Sequence, residues 1–284
     1  MTQDESLNMA SKVVLITGAA RGIGSGIAEV LVAAGANVVL SDLDAEAVEK
    51  TAIRLSKKGP GQAVGNVCDV RVPDQIKKSI DQAAKQFGRL DCLVNNAAIF
   101  SGWREIDKID YGLIGQLFQV NIIAYIIASQ LALPYLRVHN GTIVNISSIA
   151  GELGLWHDSV YSATKGAVTA FTKALAVEEA VHGVRVNAVV PGNIHSHNRA
   201  VAVAGSTRGP ELDEFLDRWQ WMGRSGTPEE VGRAVLFLAT DMSSFCTGVS
   251  LMVTGGLELG AGIKEPYPDF GRPTPPVPPQ AGER

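Results

Sequence analysis

In the stretch YSATKGAVTAF, Tyr161 precedes Lys165 by four residues. On a helix those positions share one face, so a phenol and an ammonium stand side by side. Such a pair is either an ordinary surface contact or a general acid–base whose phenol is tuned by the cation, and the spacing alone does not separate the two. A second group is glycine-rich: Gly18, Gly22 and Gly24 in TGAARGIGSGIAEVL follow the apolar run VVLIT and open an amphipathic stretch. A turn without side chains lets the backbone approach a pyrophosphate, and the helix behind it offers its first amides and the positive end of its dipole. A plain strand-to-helix turn also uses glycine, so the reading depends on the strand before and the helix after. A third candidate is Asp42, which closes the run NVVLSD. A carboxylate there accepts both hydroxyls of an adenosine ribose and repels a 2′-phosphate, favouring NAD over NADP. The plainer role is a helix N-cap, shared with Asp44. Arg21 weighs the other way, because a cation in the glycine loop could face an additional phosphate.

These groups need a scaffold to bring them together. Short β-branched runs at 13–17, 37–42, 63–69, 90–96, 141–148, 184–190 and 249–253 alternate with helical patterns around 22–34, 44–57, 74–87, 109–137, 159–182 and 229–240. Near-continuous apolar strands separated by helices predict a parallel sheet covered on both faces. Right-handed crossovers then give an α/β fold, a single doubly wound Rossmann domain with a seven-stranded parallel sheet. The domain is expected over 11–262, behind a flexible N-terminus at 1–10. Residues 195–222 form a long insertion, which reads as a substrate lid. Beyond Leu259 the chain carries seven of its 13 prolines, and 263–284 reads as an extended Pro-rich tail. The part near Tyr267 and Phe270 could dock on a neighbouring surface.

Composition narrows the function. Of 284 residues, 46% are hydrophobic and 19% charged, enough apolar material for a sizeable core. A net charge of −4 without runs of Lys or Arg argues against a nucleic-acid surface. Cys68, Cys92 and Cys246 lie far apart and read as thiols of a reducing compartment. The polar, acidic start MTQDESLNMASK lacks the basic and apolar parts of a signal peptide. The apolar segment VNIIAYIIASQLALPYL is interrupted by Asn121, Ser129, Gln130 and Pro134, making it a poor membrane span and a good buried helix. A cytoplasmic protein without a membrane span is expected.

Taken together, TGAARGIG, CDV at 68–70, NNAA at 95–98, Asn121, NISS at 145–148, YSATK at 161–165 and PGNI at 191–194 resemble the short-chain dehydrogenase/reductase family in order and spacing. LALPYLR, ATKGAVTA, PGNIH, FCTG and VTGGLELG further resemble the 17β-hydroxysteroid dehydrogenase type 14 group, also described as L-fucose dehydrogenase. The resemblance implies an NAD-dependent alcohol dehydrogenase. Tyr161 would be the catalytic base, its pKa lowered from about 10 by Lys165 and the oxidised nicotinamide. Ser148 would hold the substrate oxygen near Tyr161, and Lys165 would also hold the nicotinamide ribose. Asn121 would bind a water that passes protons to Lys165; without the family it reads as a polar residue capping or kinking a buried helix. Gly18, Arg21, Gly22, Ile23 and Gly24 would cradle the dinucleotide, with Asp42 at the ribose, Asp69 and Val70 at the adenine and Asn96 lining the cleft. Ile194 and Ser196 would address the carboxamide. Ala98 stands where the family usually has glycine and Ser196 where threonine is usual, and neither change removes a catalytic group. A homotetramer is implied as well, with the apolar helix at 109–137 suited to a subunit interface.

Other chemistries fit less well. His195 and His197 form an H-x-H pair without an evident third ligand, so no metal is expected. A hydrolase built on Ser148 lacks the G-x-S-x-G elbow. Phe100, Trp103, Leu155, Trp156, His195 and Trp219 are expected to line the substrate pocket, of which Phe100, Leu155 and His195, beside Ser148 and Tyr161, are the substrate-binding candidates. Trp219 and Trp221 either wall that pocket or pack the lid on the core. Phe100, Leu155 and His195 stand where the resembled group carries histidine, glutamine and tryptophan. The aromatic, weakly polar wall suits a hydroxysteroid or another bulky secondary alcohol, since a buried sugar hydroxyl without a partner is costly. The alternatives are a sugar dehydrogenase of L-fucose type, an NADP-dependent carbonyl reductase, and a dinucleotide sensor without turnover.

Overall fold

The computed structural model describes residues 7–259; the expected tail at 263–284 and the first residues of the N-terminus lie outside the described residues. Seven parallel strands, β1 (Val13–Thr17), β2 (Asn37–Asp42), β3 (Ala63–Val67), β4 (Cys92–Asn95), β5 (Thr142–Ile146), β6 (Arg185–Pro191) and β7 (Ser250–Val253), form one sheet. Their order is β3-β2-β1-β4-β5-β6-β7. The order reverses between β1 and β4, and the crevice at the carboxyl ends of those strands is where such sheets bind ligands.

The strands are apolar on both faces because both faces are covered. Val14 and Ile16 join a cluster with Ile27 and Leu31 of α1 (Gly22–Ala33), Leu55 of α2 (Ala45–Ser56) and Val235 of α9 (Pro228–Ala239). Val13 and Leu15, one residue out of step, join Ile76 and Ile80 of α3 (Pro73–Phe87), Ala128 and Ala132 of α5 (Ala124–Leu136) and Leu175 of α6 (Ser159–Glu179). This is the period-two alternation of a strand serving two cores. Truncating one of these side chains, such as Leu31→Ala, costs about 2–5 kcal/mol.

Local chemistry sets the helix ends. The Asp44 side chain caps α2 by accepting the Ala47 N–H, and Thr227 with Glu230 makes a capping box at α9 behind Pro228. Pro73 opens α3, and Gly88 closes it at φ 77°. The packed domain begins before residue 11, since Met9 is 1% exposed and donates its N–H to the Ala34 carbonyl.

Two regions depart from simple alternation. The expected helix at 109–137 divides into α4 (Tyr111–Phe118), a π-turn at Gln119–Ile123 and α5. The whole run Tyr111–His139 is long and apolar enough to cross a membrane by length and composition, and more than half of its most apolar window is buried inside the fold. The expected insertion at 195–222 contains α7 (His197–Ala204) and α8 (Gly209–Arg218). Arg199, buried, ties them together through Asp213, Asp217 and Ser225.

Candidate active site

The glycine turn sits where β1 meets α1. Gly18 is at φ 65°, in the left-handed region, and a Cβ there would lie 2.7 Å from the Ala97 Cα. A Cβ on Gly24 would collide with the Gly18 carbonyl and stand 2.7 Å from the Asn96 Nδ2. Asn96 in turn donates to the Thr17 and Gly18 carbonyls at 2.9 Å, so the side chain braces the turn. No side chain caps α1 at Arg21. Its first amides therefore open onto a cleft of about 440 Å³ lined by Gly18, Arg21, Gly22, Ile23 and Gly24.

Asp42, Asp69, Val70, Asn96 and Ser196 line the same cleft. Asp42 Oδ2 accepts the Ala20 N–H at 2.9 Å and Oδ1 accepts the Asp44 N–H at 3.1 Å, while α2 is capped by Asp44. The N-cap alternative for Asp42 thus falls to its neighbour. Arg21 forms an ion pair with Asp44. Arg71, also at the cleft, grips Asp69 with contacts of 2.6–3.0 Å, and this holds the Asp69 carboxyl below its ordinary range. These features fit a dinucleotide: uncapped amides for a pyrophosphate, a backbone cradle where a methyl group cannot stand, and a carboxylate at the end of β2.

At the other end of the cleft are Tyr161 and Lys165, one turn apart on α6. Lys165 is 1% exposed and its Nζ donates to the Ile146 carbonyl at 2.9 Å. That ammonium lies 5.8 Å from the Tyr161 ring centroid and 5.4 Å from that of Tyr125, within cation–π range. Ser148, at the mouth of β5, hydrogen-bonds Tyr161 and accepts the Ala150 N–H at 3.2 Å. Burial pushes the Tyr161 hydroxyl up to about 12, with the Ser148 bond working against it. Burial also pushes Lys165 down to about 7. The protein's own groups therefore do not produce the lowered phenol that the resemblance implies. Desolvation outweighs the neighbouring charge because Lys165 is enclosed, Tyr161 is half-buried and the ammonium faces Ile146.

Asn121 lies in the π-turn, buried, where its Oδ1 accepts the Ile99 N–H at 2.9 Å. Its Nδ2 donates to the Ile99 carbonyl and to Thr164 Oγ1. Both amide hydrogens are used within the protein, so the side chain pins the loop after β4 to α6.

Three expected contacts fall elsewhere. Ile194 is buried in the core that contains Val189 and Val231, paired with Gly226, and does not line the cleft. His195 turns its Nε2 to Asp217 of α8 at 3.6 Å, drawn by the carboxylate that also holds Arg199. His197 does line the cleft, and among the described residues no group of three or more His, Cys, Asp or Glu lies together as a metal site would require. Leu155 lies in a separate dent with residues 104–107, His157 and Asp158. Trp219 packs on Phe215 within the lid, and Trp221 lines another hollow beside Met252.

Phe100, by contrast, meets Tyr161 edge-on with ring centroids 5.2 Å apart, and Trp103 meets Phe100 at 5.4 Å. Asp158 went unnoticed in the sequence. It lies three residues before Tyr161, 2% exposed, and accepts a long hydrogen bond from Ser101 Oγ at 3.4 Å. The spacing to Tyr161 was the available signal, since positions three apart share a helix face.

Known proteins resemble this chain in sequence and fold. A family profile described as Enoyl-(Acyl carrier protein) reductase matches residues 18–258. The L-fucose dehydrogenase of Oryctolagus cuniculus is 41% identical over 264 residues, 92% of this chain and 90% of that protein. The 2-(S)-hydroxypropyl-CoM dehydrogenase 3 of Xanthobacter autotrophicus is 37% identical, covering 89% of this chain and 98% of its own. A short-chain type dehydrogenase/reductase from Mycobacterium marinum superimposes with a TM-score of 0.82 at 30% identity, covering 90% of this chain and 99% of that one. With its parallel sheet, glycine turn and Tyr161–Lys165 pair, this chain belongs to the short-chain dehydrogenase/reductase family, oxidoreductases that work on small molecules with nicotinamide dinucleotides.

Proposed function

We propose that the protein is an NAD-dependent dehydrogenase that interconverts a secondary alcohol and a ketone. The observation that carries this is the placing of Tyr161, hydrogen-bonded to Ser148, and Lys165 on the wall of a cleft that Asp42 also lines. A bound dinucleotide supplies the hydride acceptor. Tyr161 takes the hydroxyl proton, Ser148 holds the substrate oxygen against it, and Lys165 would hold the nicotinamide ribose, its charge together with the oxidised nicotinamide favouring the phenolate. Asn121 acts by position, fixing the loop after β4 against α6. NAD is favoured over NADP because Asp42 faces the ribose end while Asp44 occupies the Arg21 guanidinium that a 2′-phosphate would need.

For the substrate we favour a hydroxysteroid or similar bulky alcohol. The edge-to-face chain of Tyr161, Phe100 and Trp103 offers apolar surface and few hydrogen-bond partners. A sugar of L-fucose type is the second reading, supported by the rabbit relative's activity. The exposed apolar side chains Phe118, Ile123 and Ile126 on the helix run suit a subunit interface, and a homotetramer belongs to the same proposal.

The test follows reduced-nicotinamide absorbance with NAD or NADP and a panel including estradiol and L-fucose, with Tyr161→Phe alongside. A rise with NAD that vanishes in the variant supports the dehydrogenase and selects the substrate class. A rise that survives Tyr161→Phe overturns the assignment of the base.

A further inference from the structure

Of the buried carboxylates among the described residues, Asp91 and Glu179 are paired with arginines, whereas Asp158 has no such partner and the mechanism does not use it. Asp158 immediately precedes α6 and does not cap it with its side chain. Its one side-chain partner among the described residues is Ser101, itself buried, on the loop that carries Phe100 and Trp103. Tyr161 follows three residues later, on the same face of the helix start.

The groups around Asp158 leave its charge largely uncompensated. On α6 they are Tyr161 and, two turns on, the enclosed Lys165, whose Nζ points to Ile146. In the chain beside it stands His157. Across the dent of about 380 Å³ that Asp158 also lines are Arg104, Glu105 and Asp107, all exposed, one cation against two anions. Solvent screens those three, whereas Asp158 is enclosed and Tyr161 half-buried.

We propose that Asp158 is an electrostatic brake on the Tyr161 base: its buried carboxylate, three residues before the phenol and held by Ser101, sets the pH at which Tyr161 ionises. This rests on the reading of Tyr161 as the acid–base. Two like charges this close oppose each other, so an ionised Asp158 disfavours the phenolate and keeps Tyr161 a proton donor to higher pH. Burial pushes the Asp158 carboxyl up to about 7, and its charge in turn raises Tyr161. The brake is therefore applied above neutral pH and released below it. Asp158 is a positioning residue in the electrostatic sense and acts through Tyr161 without touching the substrate.

The experiment titrates tyrosinate by ultraviolet difference absorbance in the full-length protein saturated with NAD. Tyr161→Phe identifies which step belongs to Tyr161. The Asp158→Asn variant is expected to move that step to lower pH by about one unit, which is tenfold more phenolate at a given pH below it. The Ser101→Ala variant breaks the same loop-to-helix tie but keeps the charge, and leaves the step where it is. An Asp158→Ser variant, a short neutral helix cap, provides the same reading if the asparagine does not fold. A step that stays in place in a folded neutral variant, the absence of any Tyr161 step, or loss of folding in both neutral variants overturns the proposal. Because no alcohol is turned over in this measurement, its outcome is distinct from that of the dehydrogenase assay.

Discussion

At the dinucleotide end of the cleft the walls are strand ends and main chain. Gly18 and Gly24 are pressed against Ala97 and Asn96, and Asp42 is locked by two backbone amides. At the proposed substrate end the walls are side chains on loops: Phe100 and Trp103 after β4, and the segment ending at Asp158 before α6. The first end is fixed by backbone packing, where a single methyl group is too much. The second is fixed by a few ring contacts and one long Ser101–Asp158 bond, and it can change without disturbing the sheet. One end of such a site holds a constant ligand, and the other is free to select a variable one.

Tyr161 stands on the seam, and removing its hydroxyl tests whether the ends are separable. Tyr161→Phe is expected to cut turnover by about 10²–10⁴-fold while leaving NAD affinity within a factor of about two, measured by kinetics and by NAD titration. Lys165 shares the seam. Its folded pKa, about 7, lies below its ordinary 10.5, so between those values the unfolded chain holds a proton that the folded one lacks. Stability of the cofactor-free protein therefore gains from Lys165 as pH rises through that window, with a slope approaching about 1.4 kcal/mol per pH unit, and carries the full burial cost below it. Denaturant unfolding at several pH values, wild type against Lys165→Met, should show that gain only in the wild type.

A matched pair of methyl insertions then contrasts the two ends directly. Gly24→Ala forces its neighbours apart and is expected to cost about 1–3 kcal/mol and at least about tenfold in NAD affinity. Gly154→Ala, on the loop before α6 with nothing within 4 Å of the added Cβ, should stay within about 0.5 kcal/mol. Equal costs would erase the contrast. At the ribose, Asp42→Ala is expected to lower the preference for NAD over NADP by about ten-fold or more, read from the two affinities. The smallest effect belongs to Phe100→Ala, which should raise KM for a bulky alcohol a few-fold and leave NAD binding unchanged.

The same contrast explains what could be read from residues alone. Strand positions came within about two residues, because apolar runs bounded by turn chemistry are local signals. Gly18, Gly24, Asp42 and the Tyr161–Lys165 pair were singled out by local spacing, each attached to a strand end or a helix start, whereas Ser148 came only with the family resemblance. Ile194, His195 and Leu155, expected at the cleft, lie outside its lining, each on a loop whose path is decided by distant partners. Asp217 captures His195, the Gly226 backbone captures Ile194, and Leu155 shares its dent with residues 104–107. Trp103, at φ 38°, lies in a conformation that no propensity for tryptophan anticipates. Asn121 was recognised as important, but its three bonds to Ile99 and Thr164 join segments far apart in sequence.

Arg199 has a consequence for how the cleft opens. Helices of eight and ten residues, as α7 and α8 are, would be marginal alone. The guanidinium joins them, through Asp213, Asp217 and Ser225, into one cooperative unit flanked by the paired backbone of Asn193 and Gly226. Such a unit is expected to open as a block, without fraying residue by residue. Its amide protons are then expected to share one opening free energy once their intrinsic exchange rates are divided out, and cutting the Arg199 knot to replace it with a spread.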